Sequence, residues 1–371
     1  IAFGELERYK WFEEGCQSAF GPKLRAVGIY TNSPFNSQSK ETAASEASKR
    51  AQQDCPSLGQ WGWPKRGAEA ERESLLKHSE GIKEGQRPTK DEETLVVERL
   101  LQDYPKSTHW LAGTCKIDMI RLVREIEKQL DCVVPRSSPG VPIVELGRSN
   151  GVVLGESRAL VIDLVVRRTH VLFGGDLPAS PSELVRGGFC DPVRIFVKQE
   201  PHSTKKRSLG KLRLISSVSL VDQLVERVLY SNQNREEIAH WVICPSKPGM
   251  GLDDLSAELV RKGFEEKKNP GVLQTDLSGF DWSVKDWELE LDCEARRQLC
   301  GSSRGDAFDR LSRARTWCVN RSVFCLSNGE LYEQVEPGVQ LSGCYTTSSS
   351  NSRIRVALAY LCGASWAVAM G

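Results

Sequence analysis

The 371-residue sequence predicts an α+β fold, because strand-like and helix-like segments are mixed along it without strict alternation. Three observations carry that reading. Runs rich in β-branched residues at 191–197 and 212–218 read as strands. Apolar residues recur at helical spacing across 94–130, 160–171 and 220–233. Apolar side chains make up 39% of the chain, enough for a sizeable core, and no internal repeat organises them.

In chain order, residues 1–30 mix aromatic, apolar and basic types and read as the tail of a preceding module. Ile1 follows no Met, basic stretch or small-residue cleavage site, so the sequence reads as a piece of something longer. Between Thr31 and Glu92 only 14 of 62 residues are apolar, so ordering entropy is poorly offset and linker or mobile helix is expected. The island Gln60-Trp61-Gly62-Trp63-Pro64 reads either as an anchor on the main body or as an exposed pair.

Leu95, Val96, Leu100 and Leu101, then Ile117, Ile120, Val123 and Ile126, fall at helical spacing. Pro135 to Gly140, with Pro142, is a turn cluster. Leu160–Val171 is helical or buried, and Leu220–Gln233 has helix periodicity. Gly271–Thr275 reads as a short strand. Trp282–Leu299 reads as a helix with Val284, Trp287, Leu291 and Ala295 on one stripe. Ser342 begins a loop leading into a helix that ends near Leu361.

Charge and cysteines exclude more than they assign. Fifty basic residues against 49 acidic ones give a net charge of +1, which says nothing about segregated patches. The 12 cysteines are irregularly spaced without C-x-x-C, and Cys293/Cys300 and Cys318/Cys325 match no common zinc pattern. They read as reduced, mostly buried thiols. The most apolar stretches, 159–166 and 356–370, are too short or interrupted to span a membrane. H-E-x-x-H, G-x-S-x-G and Walker A patterns are all missing.

Three patches carry chemistry. In Thr275-Asp276-Leu277-Ser278-Gly279-Phe280-Asp281, a strand end would present Asp276 as a carboxylate for a hard cation. Asp281 would then lie beside the same cleft. The competing reading makes Asp281 or Ser283 a helix cap and Asp276 an exposed loop residue. The second patch, Ser342-Gly343-Cys344-Tyr345-Thr346-Thr347 continuing to Asn351, joins a flexible loop to a polar helical face shared by Thr347 and Asn351. It reads alternatively as a surface loop with caps. The third runs from Arg194 to Arg213 with seven basic residues against one acid, and suits triphosphates or a nucleic-acid backbone. A solvated basic hairpin is its alternative.

Taken in order, these patches resemble a known set. The D-x-x-x-x-D of Asp276 and Asp281 resembles motif A of viral RNA-dependent RNA polymerases. The S-G-x-x-x-T-x-x-x-N of Ser342, Gly343, Thr347 and Asn351 resembles motif B. Lys198-x-Glu200 through Lys211 and Arg213 resembles the basic motif F. Spellings such as FVKQEPH, LISSVSLVDQLVER, PSKPGMG and TDLSGFDWSV are similar to polymerases of the sobemovirus and polerovirus group. The resemblance runs from about Pro135 to Gly371.

That resemblance implies a right-hand polymerase fold without its thumb. Residues 1–93 would be a largely flexible polyprotein-derived segment, 94–270 the fingers, and 271–371 a partial palm whose antiparallel sheet carries Asp276. Gly371 matches the first residue of the family's Gly-Asp-Asp motif C, which implies a fragment inactive alone. The implied activity is template-dependent RNA synthesis with two Mg²⁺ or Mn²⁺ ions. Asp276 would be the metal ligand and, with Asp281, catalytic. Lys198, Lys211 and Arg213 would hold the triphosphate, while Asp281, Asn351 and Ser342 or Thr347, beside Gly343, would read the ribose 2′-OH. The implied partners are RNA template, nascent RNA and ribonucleoside triphosphates, with a genome-linked viral protein and host membranes of cytoplasmic replication complexes. A reverse transcriptase-like polymerase or a non-catalytic RNA-binding module is the alternative. The polar Asp281/Asn351 pair argues against the bulky ribose gate of the first, and motifs A and B go unexplained by the second.

Overall fold

A computed structural model describes residues 8–13, 15–80, 85–266 and 272–370. Gly371, matched above to motif C, lies outside the described residues, as does Gly271.

The chain opens with strands β1 (Tyr9–Trp11), β2 (Ser18–Ala19) and β3 (Leu24–Tyr30). Helix α1 (Glu46–Asp54), capped by Ser45, precedes β4 (Trp61–Gly62) and α2 (Ala68–Ser79). A Thr89/Glu92 capping box starts α3 (Lys90–Asp103), and Asp118 caps α4 (Met119–Leu130). Next come α5 (Asn150–Gly174), α6 (Pro181–Arg186), β5 (Val193–Val197), β6 (His202–Ser203), α7 (Thr204–Ser208) and β7 (Leu214–Ser217). Then follow α8 (Leu220–Ala239), α9 (Asp254–Glu266), α10 (Phe280–Ser283), α11 (Asp286–Leu299) and α12 (Ala307–Val319). Strands β8 (Val323–Cys325) and β9 (Glu330–Gln334) and helix α13 (Thr347–Leu361) complete the order.

Seven strands form the main sheet in the order β1-β3-β9-β8-β5-β7, with β2 also paired to β3. All pairs are antiparallel except β5 with β8. The alternation of side chains across β8 explains the layering. Val323 and Cys325 join a core built on α4, α5, α8 and α12, while Phe324 joins the opposite core with Leu75, Trp282 and Ile354. A third cluster packs α3, α11 and α13 together through Leu100, Leu291 and Val356. Among the described residues no helix is long and apolar enough to cross a membrane.

Helix α8 shows how one sequence pattern fastens four others. Leu220, Leu224, Val225 and Val228 give it apolar faces, yet Asp222, Glu226, Gln233 and Glu237 are buried as well. Each meets an arginine from a different helix. Asp222 binds Arg168 of α5, Glu226 binds Arg315 of α12, Gln233 accepts from Arg296 of α11, and Glu237 binds Arg353 of α13. Buried charge is tolerable only when paired and hydrogen-bonded, and here every charge in the stripe is. The arrangement fixes α8, α11 and α13 relative to one another.

Several expectations hold. The strands at 191–197 and 212–218 are β5 and β7, and the helical periodicities correspond to α3, α4, α5 and α8. All 12 cysteines are free, and seven are buried. Three readings change. The segment expected as linker or mobile helix carries α1, which buries no residue, and also β4 and α2, and α2 buries Leu75 completely. The island around Trp61 is tied to the body by the main-chain pairing of β4 with β6, while the Trp61 ring itself stays about half exposed. The expected strand at Gly271–Thr275 is missing from the described residues: Val272 and Leu273 are exposed and pair with no neighbouring strand. The helix expected over Trp282–Leu299 is two, because the Val284 carbonyl accepts from Val339 N–H at 3.0 Å and Lys285 bridges Gly338. Its stripe of Val284, Trp287, Leu291 and Ala295 is nevertheless buried.

Candidate active site

The Asp276/Asp281 segment is built against the residues that precede and form α13. After the turn at Ser278-Gly279, where Gly279 takes φ +69°, α10 begins. The main-chain oxygen of Asp281 accepts from Gln340 N–H at 2.8 Å, so motif A runs beside the approach to the Ser342-Gly343 loop. Two residues four apart on α13 then face this segment. Asn351 hydrogen-bonds the Asp281 carboxylate, and Arg355 donates to the Thr275 hydroxyl.

The Ser342-Gly343 loop is held from behind. Ser342 Oγ accepts from Ser216 N–H at 2.9 Å. Gly343 is glycine for a steric reason: a Cβ there would lie 2.0 Å from the Ser216 carbonyl oxygen. The Thr347 hydroxyl faces the Leu341 and Cys344 carbonyls at 2.7 and 2.9 Å. The Thr347 hydroxyl thus ties down the loop that precedes its own helix. Ser349 and Ser350 dock α13 onto Arg296 and Asp292 of α11.

The basic hairpin is braced by its own residues. Lys198 N–H donates to the Arg213 carbonyl at 2.8 Å, continuing the β5–β7 ladder. Glu200 binds both Lys198 Nζ (2.9 Å) and Arg213 Nη1 (3.0 Å). Burial pushes its carboxyl up, but the two cations prevail and hold it below the ordinary range. His202 is buried and bridges the hairpin: its Nδ1 lies 2.8 Å from the Glu200 carbonyl and its Nε2 accepts from Arg213 N–H at 2.9 Å. Lys211 is exposed without a carboxylate partner among the described residues. Arg194 lies apart from this group, stacked on Phe35 at 3.4 Å and bonded to Ser327.

Asp281 is where the three motifs converge. Burial raises its pKa above the ordinary carboxylate value, and the Asn351 hydrogen bond and the positive charge of Arg213 oppose that rise. Asp276 is exposed and outside any strand, so the palm-sheet placement expected for it is not met and its exposed-loop reading holds. Among the described residues no group of three or more His, Cys, Asp or Glu side chains is placed to hold a metal. Asp276 therefore offers one hard oxygen donor and not a complete site for a divalent cation.

A match to a family model decides what this convergence belongs to. Residues 58–371 match the model described as viral RNA-directed RNA-polymerase. The chain belongs to the viral RNA-directed RNA polymerase family. It is 40% identical over 99% of its length to the replicase polyprotein P2AB of Cocksfoot mottle virus, covering 39% of that protein. It is 37% identical over 98% of its length to protein P1-P2 of Potato leafroll virus, covering 36%. It is also 43% identical, over 65% of its length, to the RNA-directed RNA polymerase of Mushroom bacilliform virus, covering 58%. The chain thus spans roughly two fifths of the polyproteins it matches.

Glu226, which sequence reading missed, holds the loop that leads into α13. Its Oε2 accepts from the Tyr345 N–H at 2.7 Å while its Oε1 binds Arg315, so α8 tethers the motif B loop directly. The signal was present: two acids four apart, Asp222 and Glu226, sit within an apolar helical run.

Proposed function

We propose that this chain selects and positions ribonucleoside triphosphates, and binds RNA, within an RNA-directed RNA polymerase. The observation that carries the reading is that Asp281, half-buried, hydrogen-bonds Asn351 and feels the positive charge of Arg213, which links one residue from each of the three motifs. On this reading the basic hairpin belongs to the fingers and α10 to α13 to the palm.

Each residue then has a physical task. Asn351 bonds Asp281 and keeps its own Oδ1 buried without a protein partner, an acceptor suited to a ribose 2′-hydroxyl. A ribose 2′-hydroxyl gains a hydrogen bond to that oxygen and a deoxyribose does not, which is what separates the two sugars. Lys198 and Arg213 share the single Glu200 carboxylate in the free protein, which leaves the trio cationic, and a triphosphate competes for both with more charge, Arg213 offering a two-pronged grip. Lys211 adds an unpaired cation. Ser342, Gly343 and Thr347 set the loop that brings α13 to the sugar. Asp276 contributes the first carboxylate toward a divalent metal.

Substituting Arg213→Ala tests the reading. Ribonucleoside triphosphate affinity should fall about tenfold or more, with nucleoside affinity little changed, because a charge-assisted contact is lost. If triphosphate affinity held and only salt-sensitive RNA binding weakened, Arg213 would belong to the RNA path instead.

A further inference from the structure

Helix α2 lies in the polar segment ahead of the three motifs, yet it holds the main chain on both sides of Lys211. The Ser74 hydroxyl donates to the Gly210 carbonyl at 2.8 Å and accepts from the Leu212 N–H at 3.2 Å, so one buried side chain spans the Lys211 peptides. One turn on, on the same face of the helix, His78 Nε2 lies 2.7 Å from the Leu212 carbonyl. A carbonyl oxygen only accepts, so Nε2 carries the proton. Burial first, then the charges of Lys211 and Lys206, lower the His78 pKa to about 4 against the pull of that carbonyl. The ring is therefore neutral at pH 7 and does not repel the cations beside it. Its face stacks on Trp282, with ring centroids 5.3 Å apart and planes 14° from parallel, and Trp282 follows Asp281 in α10.

What these bonds fix is the direction of two cations. Leu212 and Leu214 are buried while Lys211 and Arg213 are exposed, the period of two that sends residues 211 and 213 to one side. His202 accepts from the Arg213 N–H, but the Gly210 carbonyl and both polar groups of the Leu212 main chain find their partners on α2. Removing those partners leaves buried groups unpaired, and the run must shift to satisfy them. We infer that Ser74 and His78 are positioning residues for triphosphate binding: α2 holds Lys211 and Arg213 in place relative to Asp281, gripping the hairpin through hydrogen bonds and motif A through the His78 ring. Both side chains act through the main chain of Gly210 and Leu212, and neither needs to touch the nucleotide. The inference rests on the polymerase reading for the role of Arg213.

The test reads the full chain twice, by amide hydrogen exchange and by titration with ATP and with adenosine. Ser74→Ala removes both of its hydrogen bonds and should speed exchange of the Leu212 amide. His78→Phe keeps a ring against Trp282 and removes the donor. Each change should weaken ATP binding roughly fivefold, the size of a lost hydrogen bond, and leave adenosine binding as it is. His78→Gln, which can return an N–H to the Leu212 carbonyl, should restore most of the ATP affinity. Ser79→Ala, which loses only a bond to the Leu76 carbonyl of its own helix, should lower the melting temperature without changing the ratio of ATP to adenosine affinity. A Leu212 amide that exchanges equally fast in Ser74→Ala and the parent overturns the inference. So does a parallel fall of ATP and adenosine affinity in Ser74→Ala, which would make its role structural only. ATP affinity that holds in Ser74→Ala and His78→Phe while Arg213→Ala weakens it overturns the inference and leaves the polymerase reading intact. ATP affinity unmoved by Arg213→Ala as well removes both.

Discussion

Asn351 of α13 hydrogen-bonds Asp281 of α10, joining two motifs 70 residues apart in the chain within the electrostatic reach of Arg213. Because the Asn351 Oδ1 is left buried without a protein partner, the pair should discriminate between sugars. Asn351→Ala is expected to bring the affinities for a ribonucleoside triphosphate and its 2′-deoxy analogue together. Competition binding with the two nucleotides measures this. A preference that survives both Asn351→Ala and Asp281→Asn would remove the sugar-reading role.

Gly343 lies against the Ser216 carbonyl so closely that any side chain must move the loop or β7. Gly343→Ala should therefore cost about 1–3 kcal/mol of stability, the usual range for overpacking. It should also weaken nucleotide binding, since the loop sets the position of α13. By contrast Gly301→Ala, at a positive φ with open space around it, should cost stability through backbone strain alone and leave nucleotide affinity untouched. Equal effects of the two changes on nucleotide affinity would refute the steric account.

Acid sensitivity should come first from histidines. Burial lowers His78 and His109 to about 4, and His202 is lowered as well. Each folded-state value lies below the unfolded one, so the unfolded chain binds more protons in between. The stabilisation is complete above about pH 6.5 and is lost as pH falls toward 4. Each of His78 and His109 is worth on the order of 3 kcal/mol over that window. Carboxylates held low, such as Glu294 at about 2, lose their contribution only at more acid pH. Urea midpoints between pH 7 and 5 should fall, and His109→Gln should flatten the slope. A midpoint independent of pH above 5 would contradict the assignment.

Much of this was legible from periodicity and motif spacing, and the failures have physical causes. Strands β5 and β7 are β-branched and half-buried, so local pattern and tertiary role agree. The 31–92 segment misled because its burial is concentrated in few residues. Ala68, Glu71, Ser74, Leu75 and Ser79 line one buried face of α2 while α1 stays wet, and no average composition reveals that. Val272 and Leu273 read as strand residues, yet local propensity without a partner strand makes none. In the site, Asp281 and Asn351 share a hydrogen bond, and the spacing along the chain named both residues. Thr347 was not foreseen as a loop-closing residue, because which carbonyl a hydroxyl meets depends on a turn that spacing does not encode.

The Glu226 tether allows stability and function to be separated. Its two oxygens serve different masters, Arg315 on α12 and the Tyr345 N–H in the motif B loop. Glu226→Gln removes the charge opposite Arg315, leaving that buried guanidinium with Asp222 at 3.5 Å. Breaking one side of a buried pair typically costs about 3–5 kcal/mol, so the melting temperature should drop by several degrees. Adding Arg315→Met to Glu226→Gln removes the stranded charge and should recover part of that loss. The Tyr345 N–H gains nothing from the second change, so ribose preference should stay as weak in the double variant as in the single one. Calorimetry and nucleotide competition on the same three proteins distinguish the two effects. If selectivity returned together with stability, the loop would be responding to global folding and not to its bond with Glu226.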